Sequence, residues 1–188
     1  FASCSSGFDP HFFDFLSRRM AQAVIQAYRG RKPAKIATGS VNIKGASWNR
    51  SIDAYKENFK EDERQKISAE EAVNTTMHMV RIDCVTPDGT YKPAGTLCSF
   101  SLHGTVIPHG NRLYSGDAFG WAERQVEWKM GKTYGTENPV CALMNATHAD
   151  NSPLYNKKHR GFSEAKRLGL MIGNRAFALF ERLGKSLT

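Results

Sequence analysis

Two long segments of the chain carry hydrophobic residues at helical spacing. The first predicts a helix from Pro10 to Gly30, with Asp9 as its cap and proline in its first turn. Its apolar positions are Phe13, Leu16, Met20, Val24 and Ala27. We expect this stripe to face a hydrophobic core. The second segment predicts a helix from about Ser163 to Gly184, and its apolar positions are Leu168, Met171, Ile172, Leu179 and Leu183.

Strand-like runs lie between these helices. They are Ala34 to Ile43, Met77 to Val85 and Thr96 to Leu102. Thr86-Pro87-Asp88-Gly89 joins the last two runs, and proline fixes φ while glycine accepts positive φ, so this tetrapeptide predicts a hairpin turn.

Three further segments complete the predicted order of elements. The polar stretch Ser51 to Glu71 predicts a loop with a short helix. A helix is predicted from Asp117 to about Met130, and a short apolar run extends from Asn138 to Asn145. Helices interspersed with strands are typical of an α/β fold, here a mixed sheet layered with helices.

Length and charge limit the function classes. The 188 residues are 40% hydrophobic, which suits one α/β unit over residues 1–188, and no apolar run approaches the roughly 18–20 residues that cross a bilayer. The net charge of +8 favours anionic partners. The basic clusters Arg29 to Lys32 and Lys157 to Arg160 lack interleaved aromatics, however, so we expect no nucleic-acid partner. A solvated basic surface is the expectation, and docking on an anionic membrane is the alternative.

The chain begins at Phe1 rather than at methionine, and its opening resembles the middle of a loop. We therefore expect a processed chain or a piece of a longer protein. Four cysteines, at positions 4, 84, 98 and 141, show no C-x-x-C spacing. Cys84 and Cys98 flank the predicted turn, where they either face each other or stay as buried thiols.

Two polar regions follow predicted strands and are candidates for a site. One begins at His103, and the other extends from Asn145 to Pro153. His103 comes after an apolar strand and before Gly104, so it is either a metal ligand or a packing residue. His109 is either a surface turn residue or a second residue of the same cleft. No H-x-H or H-E-x-x-H pair accompanies them.

Two polar clusters have both a structural and a chemical interpretation. Ser115-Gly116-Asp117 places a carboxylate at a helix start, either as a cap or as part of a site. Ser152 lies near His148, Asp150 and Asn151, and this mixture either activates a hydroxyl or forms an Asx-turn.

In their order along the chain, these motifs resemble those of the neutral/alkaline non-lysosomal ceramidase family. The matching motifs are Asn49-Arg50-Ser51, Ala54-Tyr55, Asp62-Glu63-Arg64, His103-Gly104-Thr105, Ser115-Gly116-Asp117, and Asn145, Asp150 and Ser152-Pro153. The resemblance extends from about Gly7 to the end of the chain. It implies that the chain is the central segment of a larger catalytic domain.

The resemblance also implies a chemistry. His103 would be a zinc ligand and Ser152 the active-site serine, while Asn49, Arg50 and Asp117 would bind substrate. Zinc would activate water for attack on the N-acyl amide carbonyl of a ceramide-like lipid. Upstream and downstream segments would supply the other ligands, and the protein would be secreted, periplasmic or at the cell surface. Phe119 and Trp121 are possible walls of an acyl groove, although core packing is our expectation for both.

The serine loop departs from the family pattern. It contains one residue more between Asn145 and Ser152, has Ala149 where the family has glycine, and has Leu154 where the family has asparagine. Two alternatives therefore stay open: a non-catalytic lipid-binding or structural module, and a metal-independent serine amidase or esterase that uses Ser152 with His148. No G-x-S-x-G elbow supports the second alternative.

Overall fold

The computed structural model describes residues 7–188, and the chain divides into two compact units at Pro33. The first unit contains helix α1, Pro10–Arg29. The second contains strands β1 (Ala34–Asn42), β2 (Ser47–Asn49), β3 (Thr76–Val85), β4 (Tyr91–Phe100), β5 (Val140–Asn145) and β6 (Asn151–Pro153). It also contains helices α2 (Ile52–Lys56), α3 (Glu61–Arg64), α4 (Asp117–Tyr134) and α5 (Phe162–Leu183). That both units belong to one catalytic domain stays a prediction.

Helix α1 has the ends that the sequence predicts. The Asp9 carboxylate accepts a hydrogen bond of 3.0 Å from the Phe12 N–H, and the Gly30 N–H donates to the Gln26 carbonyl. The expectation that its apolar stripe belongs to a core is wrong, because none of its residues is buried. The described residues of this unit, 7–33, contain one helix and no second layer against which to bury a stripe.

The four strands β1, β3, β4 and β5 form a mixed sheet in the order β1-β3-β4-β5. β3 pairs antiparallel with β1 and β4, whereas β5 runs parallel to β4. The predicted hairpin between β3 and β4 is confirmed, and the Thr86 N–H donates to the Thr90 carbonyl across its turn at 2.8 Å. The predicted class, a mixed sheet layered with helices, is confirmed as well.

Strand β4 begins at Tyr91 rather than at Thr96 and ends at Phe100 rather than at Leu102. Its first part contains proline and glycine, which weaken a strand pattern in the sequence. A bulge opposite Ile82 and Asp83 nevertheless keeps this part paired with β3.

Helices α4 and α5 pack on each other and on the sheet. The predicted stripe of α5 is largely confirmed: Leu168, Ile172, Leu179 and Leu183 are buried, and Met171 is partly buried. Gly169 permits the close approach, since a Cβ there would lie 2.5 Å from the Ala118 carbonyl oxygen. Phe119 and Trp121 pack against the core, as expected. No helix within residues 7–188 has both the length and the apolar character needed to cross a membrane.

The cysteines of the described region are free thiols. Cys84 lies opposite Lys92, and Cys98 lies opposite Met79, so the two do not face each other across the hairpin. Cys98 instead neighbours Cys141 of β5. The hydrogen bond with Cys98 and burial both raise the pKa of the Cys141 thiol.

Candidate functional site

The sequence motifs around Arg50 and Ser152 meet in the small antiparallel sheet formed by β2 and β6. Trp48 lies opposite Ser152 in this pair. Beyond the strand end, the Arg50 N–H donates to the Asp150 carbonyl at 2.9 Å. The structure therefore brings Arg50 and Ser152 together although they are about 100 residues apart in the chain.

Asn49 stabilises this small sheet through hydrogen bonds of its buried side chain. Its side chain is fully buried, and its Nδ2 donates to the Ala72 carbonyl at 2.8 Å and to Asp150 Oδ2 at 2.9 Å. Its Oδ1 accepts from the Ser51 N–H at 2.8 Å. Because these bonds occupy the amide, Asn49 holds the framework of the small sheet. It does not line the cavity described next.

A cavity of about 460 Å³ lies beside the small sheet. Its walls include Trp48, Ile107 and Tyr155, and its polar lining consists of Arg50, Thr105, His109, Ser152 and Arg160. This volume is within the range of small-molecule sites. His109 is an exposed loop residue, as expected, and it also reaches the cavity that contains Ser152. Ser152 itself lies in strand β6, and the residues before it form a turn in which the Asn151 N–H donates to the His148 carbonyl at 2.9 Å.

His103 lies next to the cavity and is held by the serine loop rather than by a strand end. Strand β4 ends at Phe100, so the expectation that His103 directly follows a strand is wrong. Its backbone N–H donates to the Asn151 carbonyl at 2.9 Å. The ring Nε2 lies 3.2 Å from the Ala149 carbonyl oxygen, which can only accept, so Nε2 donates and the neutral ring has its lone pair on Nδ1.

This arrangement fits a metal ligand. Histidines that bind metals usually donate their other ring N–H to a carbonyl or carboxylate, which fixes the ring and its tautomer. Nδ1 of His103 is therefore the atom that would hold zinc. Within residues 7–188, no three histidine, cysteine or acidic side chains converge on one point, so His103 does not form a metal site with the residues that the structure describes.

His148 packs against His103 rather than against Ser152. The two imidazole rings lie 4.6 Å apart between centroids and are nearly perpendicular, and His148 Nδ1 is 2.9 Å from the Ala146 carbonyl oxygen. In the described part of the chain, no histidine is hydrogen-bonded to the Ser152 hydroxyl. The metal-independent serine mechanism therefore has no observed base.

Asp117 lies outside the cavity that contains Arg50 and Ser152. It is buried at the start of α4, and its Oδ2 accepts from the Ile107 N–H at 2.8 Å while its Oδ1 accepts from the Ala118 N–H at 2.7 Å. Its φ of +50° is unusual for a residue with a side chain. These contacts tie the loop that carries His103 to the helix.

Arg160 and Tyr155 are cavity residues that the sequence did not reveal. The Arg160 guanidinium donates through Nη2 to the Thr105 carbonyl at 3.0 Å and through Nε to the Val106 carbonyl at 3.3 Å. It also lies over the Tyr155 ring, 5.1 Å from its centroid. The basic cluster Lys157 to Arg160 has the same composition as a solvated surface, so no signal in the sequence distinguished its last residue.

The segment that carries Tyr155 and Arg160 is anchored by Glu164 at the start of α5. The Glu164 carboxylate accepts from the Asn156 N–H at 2.9 Å and from the Arg167 guanidinium. The hydrogen bond from Arg167 holds the pKa of this carboxyl below its usual value. The hydrogen bond from Asn156 thus ties this segment to α5, and the ion pair with Arg167 holds the Glu164 carboxylate in place.

The sequence matches the model of a known protein family over most of its length. The sequence model of the N-terminal part of neutral/alkaline non-lysosomal ceramidases matches residues 1–161. The chain therefore belongs to the neutral/alkaline non-lysosomal ceramidase family, as the motif order predicts.

Individual relatives are similar to this chain over part of their length. Neutral ceramidase B of Dictyostelium discoideum is 29% identical over 153 residues, which are 79% of this chain and 20% of that protein. Neutral ceramidase of Oryza sativa subsp. japonica is 33% identical over 123 residues, 65% of this chain and 15% of the relative. The chain thus spans a fifth or less of these two relatives.

The fold is similar to that of solved ceramidases. The crystal structure of neutral ceramidase from Pseudomonas aeruginosa superposes with a TM-score of 0.60 at 24% identity, covering 86% of this chain and 24% of that chain. This likeness supports the α/β fold, whereas the chemistry depends on the residues of the site.

Proposed function

We propose that this chain contributes part of the active site of a zinc-dependent amidohydrolase that cleaves the N-acyl amide bond of ceramide-like lipids. One observation carries the proposal: the β2–β6 pair brings Arg50 and Ser152 onto a single cavity, and His103 is hydrogen-bonded to the same serine loop. The chain spans a small part of its relatives, so the complete site includes residues from outside the described region.

His103 would hold zinc through Nδ1, with its ring fixed by the Ala149 carbonyl. The neighbouring His148 ring restricts the rotation of His103 and so keeps Nδ1 directed at one position. Zinc, when bound, polarises a carbonyl oxygen and lowers the pKa of water. The remaining ligands would come from outside residues 7–188.

Ser152 would position the substrate. Its hydroxyl lines the cavity and can donate to the amide carbonyl or accept from the amide N–H. Because no described histidine is hydrogen-bonded to it, we assign it a positioning role rather than that of a nucleophile. Arg50 lies in the same cavity and can donate to oxygen atoms of the lipid headgroup.

The test is made on the complete protein, by measuring its zinc content and its release of fatty acid from N-acylsphingosine. His103→Ala is expected to lose bound zinc and at least a hundredfold of the activity, in line with the loss of a direct ligand. His78→Ala is the matched control, since His78 is exposed on β3 and does not line the cavity.

Three outcomes separate the alternatives. Zinc that is lost with His103→Ala supports the proposal. Hydrolysis without zinc that is abolished by Ser152→Ala would replace the proposal with a serine amidase. Lipid binding without zinc and without hydrolysis would replace it with a non-catalytic module.

A further inference from the structure

Two segments beside the cavity form an exposed basic surface. They are residues 103–116, which lead into α4, and residues 155–163, which include the start of α5. Neither segment contains an aspartate or a glutamate, whereas together they contain four exposed cationic residues: Arg112, Lys157, Lys158 and Arg160. The surface therefore has a positive charge that no carboxylate of these segments offsets.

Hydrogen bonds join the two segments. The Arg160 guanidinium donates through Nη2 to the Thr105 carbonyl at 3.0 Å and through Nε to the Val106 carbonyl at 3.3 Å. Both segments also line the cavity beside the small sheet, the first through His109 and the second through Tyr155. They therefore form one surface next to the candidate site.

Both segments lie at the same end of the helix pair α4 and α5. A Cβ at Gly169 would lie 2.5 Å from the Ala118 carbonyl oxygen, and one at Gly173 would lie 2.7 Å from the Ala122 carbonyl oxygen. Residue numbers thus increase in the same direction along both helices, so the helices run parallel. The residues that precede them, 103–116 and 155–161, are consequently at the N-terminal end of the pair.

Three apolar side chains protrude from this end. Tyr114 is fully exposed, Leu113 is 70% exposed and Phe162 is 50% exposed. The Asn111 amide donates to the Leu113 carbonyl at 2.6 Å, which holds the loop that presents the first two. Scattered exposed apolar side chains are common on proteins, but these three lie among cations at one end of the helix pair. This combination is typical of a surface that binds at a membrane interface.

An anionic bilayer matches both properties of the surface. Its headgroups attract lysine and arginine side chains, and the layer just below them accepts apolar side chains. Tyrosine suits this boundary, because its ring enters the apolar layer while its hydroxyl stays at the headgroups. A nucleic acid would match the charge but offers no apolar layer for Leu113 and Phe162.

We propose that the protein docks on an anionic lipid bilayer through a rim surface, which consists of Arg112, Leu113, Tyr114, Lys157, Lys158 and Phe162. In this arrangement the cations contact the headgroups, the apolar side chains lie below them, and the cavity that the same segments line is close to the membrane. The inference does not rest on the proposed function, because docking requires neither zinc nor hydrolysis.

The test measures binding of the complete protein to large unilamellar vesicles by sedimentation, without zinc or an amide substrate. The vesicles consist of phosphatidylcholine alone or of a mixture of phosphatidylcholine and phosphatidylglycerol. Binding to the mixture is expected to be at least about tenfold tighter, because each cation near an anionic surface contributes about fivefold. The difference should shrink as salt is raised.

One pair of charge variants locates the electrostatic part. Lys157→Gln/Lys158→Gln is expected to weaken binding to the mixed vesicles at least about tenfold. Arg175→Gln/Lys185→Gln is the matched control, since it removes the same charge from exposed positions within and after α5, away from its start. It should change the affinity less than about twofold.

A second pair of variants locates the apolar part. Leu113→Ser/Tyr114→Ser is expected to weaken binding to both kinds of vesicle at least about tenfold, because less apolar surface leaves water. Met20→Ser/Val24→Ser is the matched control, since it changes two exposed apolar residues of α1. All the substituted side chains are exposed, so the thermal midpoint of each variant should equal that of the wild type.

Three results would overturn the inference. Equal weakening by the two pairs of charge variants would show that net charge alone explains binding. Weakening by Met20→Ser/Val24→Ser but not by Leu113→Ser/Tyr114→Ser would assign the membrane contact to α1. Self-association without vesicle binding, abolished by Leu113→Ser/Tyr114→Ser, would assign the surface to a second copy of the protein. Rim-dependent vesicle binding by a protein that holds no zinc and hydrolyses no amide would support the inference and contradict the proposed function.

Discussion

Replacing Asn49 by alanine tests whether the small sheet depends on one buried amide. The change removes the two hydrogen bonds that Nδ2 donates, to Ala72 and Asp150, and the one that Oδ1 accepts from Ser51. Two of these partners are neutral backbone groups, each worth about 1 kcal/mol, and the third is a carboxylate, worth roughly 1.5–3 kcal/mol. The expected loss of unfolding free energy is therefore about 4 kcal/mol.

Urea unfolding followed by tryptophan fluorescence measures this loss. With a typical dependence of about 2 kcal/mol per molar urea, the midpoint should fall by about 2 M. Asn58→Ala is the matched control, because the Asn58 amide is exposed and donates only to the Tyr55 carbonyl. Its expected cost is below about 0.5 kcal/mol. A loss of less than about 1 kcal/mol for Asn49→Ala would refute the assigned role of this amide.

Three further changes test one helix contact and two ion pairs of the second unit. Gly169→Ala should cost about 1–3 kcal/mol, because the added methyl would clash with Trp121 and force α4 and α5 apart. Asp83→Asn should cost about 3–5 kcal/mol, since it leaves the buried Arg81 guanidinium without the negative charge that now lies 2.8 Å away. Glu164→Gln should be less stable than the wild type near pH 6, and this difference should vanish as the pH falls. Because folding lowers the pKa of Glu164, its stabilisation is complete above the unfolded value of about 4.3 and is lost on descending through the lower folded value.

Matched substitutions at exposed positions serve as controls in the same urea experiments. Gly110→Ala places its methyl in open space, Asp62→Asn removes an exposed carboxylate outside any observed ion pair, and Glu137→Gln removes an exposed glutamate. Each should change the unfolding free energy by less than about 0.5 kcal/mol. A wild-type-like pH dependence for Glu164→Gln would contradict the role given to the Arg167 pair.

Elements whose pattern is local could be predicted from the sequence. Helix α5 and the β3–β4 hairpin have hydrophobic periodicity and turn chemistry that specify them without reference to the rest of the chain. Strands β2 and β6 were not predicted, because three residues are too few to show alternation and Pro153 is atypical of a strand. Each of these two short strands is formed by its pairing with the other.

The candidate site likewise contains residues that the sequence predicts and residues that it does not. Motif order pointed to His103, Arg50 and Ser152, and the structure brings the last two into one cavity beside the first. Arg160 was not predicted because its place in the cavity depends on hydrogen bonds to backbone carbonyls of a distant loop, and the residues around it in the sequence do not indicate such contacts. For Asn49 and Asp117, the resemblance implied substrate binding, whereas the hydrogen bonds of the structure give both side chains a part in the framework.

The β2–β6 pair has a kinetic consequence for this protein. Its three residue pairs close a loop of about 100 residues, whereas the hairpin of the main sheet closes a short turn. Such a contact has to close a long loop, and a ladder of three pairs opens at lower cost than the main sheet. We therefore expect the cavity to open before the main sheet does, so loss of the site can precede any change in overall secondary structure.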